Sequence, residues 1–256
     1  MPLENSGSFK ALILAGGYAT RLYPITLDIS KPLLKIDDRA IIDFSVQQLK
    51  KIKGLKEIIV VTNDKFYRDY LKWRKESKIK HKVAIINDGT KTEESKLGAV
   101  GDIYYALKKK KIDTDLLIIA GDNIFEEWLR SFVNFAQKKS PDVSIGIYNL
   151  KDKLKARRYG VVKVDRNHLI TDFQEKPAHP VSTYIASCVY YFPRQTLVYL
   201  KEYVTKLKRD TDRAGDYIKW LMTKCNIYGF RFTSLWLDIG QIDTYKKAQR
   251  YFKRKG

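Results

Sequence analysis

Residues Leu12–Leu34 read LILAGGYATRLYPITLDISKPLL, and this stretch decides the fold. It opens in a short apolar run, Ala11–Ala15, that passes straight into Gly16-Gly17. An apolar run bounded by glycine reads as a buried strand ending in a loop. In an open parallel sheet, ligands bind beyond the carboxyl ends of the strands. Glycines there let backbone N–H groups approach phosphate oxygens with no Cβ in the way. Arg21 adds a planar fork of donors suited to a polyphosphate, and Lys31 adds a compact point charge. Neither GxGxxG nor GxxxxGKS/T occurs, so the two commonest phosphate fingerprints are missing. Gly-Gly after a strand also fits a plain turn. Its conjunction with Arg21, Pro24, Thr26 and Lys31-Pro32 is what points to a site.

Outward from this stretch the chain alternates. Helical spacing predicts helices over 40–53, 65–77, 97–110 and 125–138, and strand-like runs fall at 57–62, 82–86 and 115–120. Continuous apolar strands alternating with helices imply a parallel sheet covered on both faces. The second half is richer in short strands, at 159–164, 169–175, 187–192 and around 227–233. Helices return at 195–207, 214–224 and 242–252. The expected architecture is therefore α/β, a doubly wound mixed sheet with a β-rich insertion over roughly 140–235. Residues 1–9 read as a disordered or tag-like, polar N-terminus, and 10–256 as a single domain without a Gly/Ser/Pro linker.

Composition narrows the partners. Lys plus Arg is 49 and Asp plus Glu is 29, a formal net charge of +20 over 256 residues. Nucleic acid, an anionic membrane and phosphorylated small molecules would all be attracted, and a lysine-rich solvated surface explains the same figure. Helix-turn-helix, zinc-finger and RNP patterns are absent, so nucleic acid is not the expected partner. No apolar run approaches the ~20 residues a bilayer needs, and the start, MPLENSGS, has no apolar leader segment. Cys188 and Cys225 form no CxxC, and three scattered histidines give no metal spacing. The compartment reads as reducing cytosol.

Three further segments carry candidate chemistry. In LIIAGDN (117–123) a strand delivers Asp122 to the same sheet edge, as a Mg²⁺ ligand or equally as a helix N-cap. In WLDIG (236–240) Asp238 lies between apolar neighbours and needs a hydrogen bond or a cation. Two carboxylates from distant segments could thus meet on one ion. In QEKP (174–177) Glu175 could accept from sugar hydroxyls and Lys176 could pair with a sugar phosphate, although a charged turn before proline also fits.

Taken in order, GG-x-x-TRL-x-P-x-T…KPLL, GDN, YGVV, EKP and WLDIG resemble the sugar-1-phosphate nucleotidylyltransferases, glucose-1-phosphate thymidylyltransferase-like members above all. The likeness runs from about Lys10 to Phe252. It implies a Rossmann-like core of the nucleotide-diphospho-sugar transferase type with a sugar-binding insertion. It also implies Mg²⁺ as cofactor, a nucleoside triphosphate (dTTP or UTP) and a sugar 1-phosphate (glucose 1-phosphate) as substrates, and a homo-oligomer. By the same resemblance, Leu14, Ala15, Gly16 and Gly17 approach the nucleotide, and Asn87, Gly89 and Gly98 read the base. Arg21 holds the leaving pyrophosphate and Lys31 bridges both substrates. Asp122 and Asp238 bind the metal, while Tyr159, Gly160, Glu175 and Lys176 meet the sugar phosphate.

The sequence departs from that family in three places. Ala19 stands where many members have glycine, the 88–97 segment is longer than the usual base-reading loop, and no left-handed β-helix or second acyltransferase activity is expected. Two other readings share the fold: a mannose-1-phosphate guanylyltransferase and a non-catalytic regulatory subunit. Retention of Arg21, Lys31, Asp122, Lys176 and Asp238 favours an enzyme over the latter.

Overall fold

The computed structural model describes residues 7–77, 79–126, 129–207 and 210–254. Strand β1 (Phe9–Ala15) leads to a short hairpin, β2 (Lys35–Ile36) with β3 (Arg39–Ala40), and to helix α1 (Ile41–Leu49). Alternation continues through β4 (Leu55–Thr62), α2 (Tyr67–Glu76), β5 (Val83–Asn87), α3 (Gly98–Lys109), β6 (Asp115–Ala120), β7 (Asn123–Phe125) and α4 (Leu129–Lys139). Next come β8 (Val143–Asn149), the one-turn α5 (Lys153–Ala156), β9 (Gly160–Val164), β10 (Ile170–Glu175) and β11 (Tyr184–Phe192). The chain closes with α6 (Leu197–Lys201), α7 (Ala214–Leu221), β12 (Ile227–Phe232), β13 (Trp236–Asp238) and α8 (Ile242–Lys253).

The main sheet has nine strands, with β10-β9-β11-β6-β1-β4-β5 in order and β8 joining β11 to β12. The strands β6, β1, β4 and β5 are parallel, whereas β11 runs antiparallel to β6, β8 and β9. The mixed α/β architecture expected from the sequence is thus the one observed. Alternate residues of β1 serve opposite cores. Phe9, Ala11, Ile13 and Ala15 face one apolar cluster and Leu12 the other. The same split in β6, Leu117 and Ile119 against Leu116 and Ile118, explains why both strands read as unbroken apolar runs.

Several boundaries differ from expectation for local reasons. Phe9, placed in the polar tail, is fully buried in β1 beside Tyr191. The first helix stops at Leu49 rather than near 53, because Gly54 turns at φ 84 and its carbonyl takes the amide of Phe9. Phe125, expected to open a helix, instead pairs with Trp236 in the β7–β13 ribbon. Residues 127–128 of that expected helix lie outside the described ones. The helix expected over 195–207 is the short α6, which widens into a π-type turn at Glu202–Lys206. Strand β8 has no counterpart in the sequence reading, since Ser144 and Gly146 interrupt its apolar run. Gly146 is required there because a Cβ would lie 2.4 Å from the Phe232 ring.

One irregularity shapes the site. Along a single edge of β11, Ile185 pairs with β9 and Val189–Phe192 pair with β6, and the register against β8 shifts between Ala186 and Tyr190. Cys188 lies at this break with φ 56. The sheet therefore parts just beyond the carboxyl end of β6, and a crevice opens at a switch in strand direction.

Candidate active site

The loop after β1 is fixed from below. Thr62 Oγ1 donates to the Ala15 carbonyl at 3.2 Å and Asn63 Nδ2 to the Gly16 carbonyl at 3.0 Å. A Cβ on Gly16 would fall 2.5 Å from Asp102 Oδ2, so close packing demands glycine there. Gly17 has nothing within 4 Å of its Cβ position and faces open space. Ala19, the departure from the family pattern, adopts φ 53. Its carbonyl accepts from Leu22 N and Thr26 Oγ1, both at 2.9 Å, which holds this strained turn in place.

Asp122 and Asp238 are brought together by the β7–β13 ribbon. Asp238 pairs with Asn123, and the amide of Ile239 donates to the Asp122 carbonyl at 3.1 Å. Lys31 forms an ion pair with Asp122. Burial alone would lower the Lys31 ammonium, but Asp122 and then Asp238 outweigh it and hold it protonated. The Asp238 carboxyl is pushed up to about 6 by burial and then by Asp122, against the pull of Lys31 and Arg21. The four side chains thus share one electrostatic neighbourhood.

A cleft of about 300 Å³ runs along this edge. Leu14, Ala15, Gly16, Gly17, Arg21, Lys31, Gly98 and Asp122 line it, all named from the sequence. A wider groove of 710 Å³ between α1 and α2 holds none of the candidate site residues, so volume alone does not find the site.

Tyr159, Gly160, Glu175 and Lys176 are not among the residues that line the cleft, although Gly215, against which Glu175 lies, follows the lining residue Ala214. Glu175 Oε2 lies 3.2 Å from a Cβ built on Gly160 and 1.9 Å from one built on Gly215, so two glycines make its berth. Burial raises the Glu175 carboxyl, Lys176 pulls it back and Asp216 adds to the rise. Lys176 takes φ 44, and its ammonium stands 3.8 Å from Glu175. Tyr159 packs on Trp236 at 5.6 Å, and its hydroxyl is held protonated by burial and by Asp238.

Asn87 and Gly89 stand apart from the cleft lining. Asn87 Nδ2 donates to Asp64 at 2.6 Å, and its Oδ1 accepts the Gly89 amide at 2.8 Å, which makes a turn at the end of β5. In their place the structure brings Asp102, Glu93, Lys96, Asp212, Cys188 and Tyr190 to the cleft. Sequence reasoning missed these. The one available signal was an Asp inside the helical pattern GAVGDIYYAL. The Cys188 thiol is pushed up to about 12 by burial, then by Asp238 and Asp122, so it is held as the thiol.

The carboxyl edge of the sheet thus gathers a glycine loop, an arginine, a lysine and two neighbouring carboxylates. Residues 10–255 match the family described as Nucleotidyl transferase, and the chain belongs to that family. It is 31% identical over 234 residues to the bifunctional protein GlmU of Methanococcus aeolicus, which covers 90% of this chain and 51% of that protein. It is 28% identical over 237 residues to a mannose-1-phosphate guanyltransferase of Debaryomyces hansenii, covering 91% of this chain and 61% of that one. The chain therefore spans only part of the length of these relatives. A solved structure of UDP-glucose pyrophosphorylase complexed with UDP-glucose superposes with a TM-score of 0.81 at 20% identity, covering 97% of this chain and 100% of that one. That likeness establishes the shared fold. Among the described residues, no helix is long and apolar enough to cross a membrane.

Proposed function

We propose that the protein transfers a nucleotidyl group from a nucleoside triphosphate to a sugar 1-phosphate and releases pyrophosphate. The observation that carries this reading is a cleft lined by Gly16, Gly17, Arg21, Lys31 and Asp122, with Asp238 near enough to feel the charges of Asp122, Lys31 and Arg21. The donor set fits Mg²⁺. Two neighbouring carboxylates, one raised by the other, suit a hard cation that keeps waters and substrate phosphates as its other ligands. Bound there, Mg²⁺ would neutralise phosphate charge.

The chain's own residues do the rest. An attacking sugar phosphate is already ionised at pH 7, so a general base is not required. Two anions must instead be brought together in line. Unit like charges ~4 Å apart repel by about 1 kcal/mol in bulk water and about 4 at an effective dielectric near 20. Arg21 would take the departing pyrophosphate with its planar fork, and Lys31 would stand between the substrates as a fixed positive charge. Glu175, berthed between Gly160 and Gly215, would accept from sugar hydroxyls, with Lys176 and Tyr159 beside it. Positioning and electrostatics then supply most of the acceleration.

The resemblance favours dTTP or UTP with glucose 1-phosphate. The likeness to mannose-1-phosphate guanyltransferases supports guanylyl transfer to mannose 1-phosphate as a second reading. Pyrophosphate release from dTTP, UTP, CTP, GTP and ATP, each with glucose 1-phosphate and mannose 1-phosphate, tests the proposal. Release with at least one pair supports it. Nucleotide binding without release from any pair makes the chain a binding subunit.

A further inference from the structure

Strand β11 bridges two parts of the site. Its Val189 pairs with Ile119 of β6, the strand that delivers Asp122. Its Ile185 pairs with Val161 of β9, next to Gly160, whose own partner is Glu175. Cys188 falls between these runs, and the registers of β11 with β6, β8 and β9 all pass it over. It therefore stands at the gap between the strand end that carries Asp122 and the paired Gly160 and Glu175. Cys188 lines the cleft, whereas Tyr159, Gly160, Glu175 and Lys176 do not.

The surroundings of the side chain agree with that position. Besides burial, the charges acting on the thiol are those of Asp238, then Asp122, then Glu175, and Cys188 acts in turn on Tyr159. The sulfur thus lies within reach of the carboxylates on one side of the gap and of Glu175 and Tyr159 on the other.

The backbone adds an independent observation. Cys188 takes φ 56 in mid-strand. That region is uncommon for residues other than glycine, because the Cβ crowds the following carbonyl oxygen. Glycine would hold the same turn without strain. Backbone stability therefore gives no reason for a side chain here, and strain of this kind gathers at functional sites. What Cys188 adds over glycine is bulk, a methylene and a sulfur set into the gap.

A sugar 1-phosphate must span that gap. With its phosphate at the Asp122 and Asp238 end and its hydroxyls on Glu175, the carbon that carries the phosphate and its neighbour C2 pass the thiol. A hydroxyl at C2 is compact, whereas a 2-acetamido group is several atoms larger. We infer that Cys188 is a specificity-determining residue, whose side chain admits hexose 1-phosphates with a free hydroxyl at C2 and turns away 2-acetamido sugars. This rests on the transferase reading and deepens it by naming the class of sugar.

Pyrophosphate release by the full chain tests it, with the nucleotide that the wild type uses best and with glucose 1-phosphate, mannose 1-phosphate or N-acetylglucosamine 1-phosphate. For the wild type, kcat/KM with the acetamido sugar should lie about tenfold or more below that with the better plain hexose, the scale of a small misfit in a pocket. Cys188→Gly and Cys188→Ala should each narrow that gap about tenfold or more, chiefly through a lower KM for the acetamido sugar. Alanine keeps the strained Cβ and removes the sulfur alone, so a gain shared by both variants assigns the effect to the bulk of the thiol. Melting curves taken alongside show that each variant is folded. A wild type that uses the acetamido sugar as well as the plain ones overturns the inference and leaves the transferase reading intact. So does a preference unchanged in both variants, or a gain in Cys188→Gly alone, which would assign the effect to the backbone. Release from no pair refutes the reading and the inference together.

Discussion

The backbone of Asp122 accepts the amide of Ile239 at 3.1 Å, and this bond joins two segments remote in sequence at the point where their carboxyl side chains converge. The surrounding ribbon is short, with Leu237 paired to Ile124 and both buried in a small cluster with Ile36, Phe44 and Ala248. Its hold on the two carboxyls therefore depends on a few apolar side chains. Leu237→Ala should cost about 2–5 kcal/mol of stability, as core truncations do. It should also raise the Mg²⁺ concentration needed for half-maximal turnover, read by a metal titration of pyrophosphate release.

A second prediction concerns the entrance to α3. Gly98 takes φ 76, and a Cβ there would lie 2.4 Å from the Cα of Asp212. The obstacle is backbone and cannot swing aside. Gly98→Ala should destabilise the fold by about 1–3 kcal/mol from the strained conformation alone. It should also displace the segment that brings Asp212 to the cleft, weakening nucleotide binding. Thermal melting and titration with the nucleoside triphosphate that the wild type binds best check the two effects separately.

Tyr70 connects α2 to the phosphate end. Its ring is fully buried, and its hydroxyl shares a 2.9 Å hydrogen bond with Ser30 Oγ, one residue before Lys31. Tyr70→Phe strands the buried Ser30 hydroxyl and should cost about 1–3 kcal/mol in chemical denaturation. Catalytic efficiency should fall with it, because the turn carrying Lys31 loses an anchor.

Glu57 gives a prediction that depends on pH. Its side chain is only 5% exposed, with Lys110 at 2.9 Å, Lys82 at 3.6 Å and Lys10 at 3.7 Å. Burial would raise the carboxyl, but the hydrogen bond and charge of Lys110, then Lys82 and Lys10, outweigh it and hold it below its ordinary 4.5. A carboxyl lowered in the folded state stabilises the fold above its unfolded value and loses that contribution as pH falls through the folded one. Glu57→Gln should therefore be less stable than wild type at pH 7, by about 1–3 kcal/mol. The gap should narrow as the pH drops below about 4.5, as followed by melting across a pH series.

The sheet edge was readable because each of its parts is local. Ala11–Ala15 running into Gly16-Gly17, and Leu117–Ala120 running into Gly121-Asp122, show strand, turn and polar residue in one continuous string. Asp238 stood out because an acid between Leu237 and Ile239 is costly without a partner. The place of Asp102 beneath Gly16 was hidden for the opposite reason. An Asp in GAVGDIYYAL fits the polar face of a surface helix, and its burial arises only when α3 packs against the loop after β1. Gly215 was equally silent, since its lack of a Cβ matters only once Glu175 comes from β10 to lie against it. Strand β8 escaped because Gly146 looks like a breaker until Phe232 of β12 is seen to fill the space.

We propose that Asp122 and Asp238 seat one Mg²⁺ for nucleotidyl transfer, with Arg21 stabilising the leaving group. Its most direct test is the rate of Mg²⁺-dependent pyrophosphate release by Asp238→Asn and Arg21→Ala, measured on folded protein with the best nucleotide and sugar phosphate. Each variant should lose about 10²-fold or more, the scale of a key electrostatic contact. A rate in either variant close to that of the wild type, or undiminished release in excess EDTA, would contradict the account.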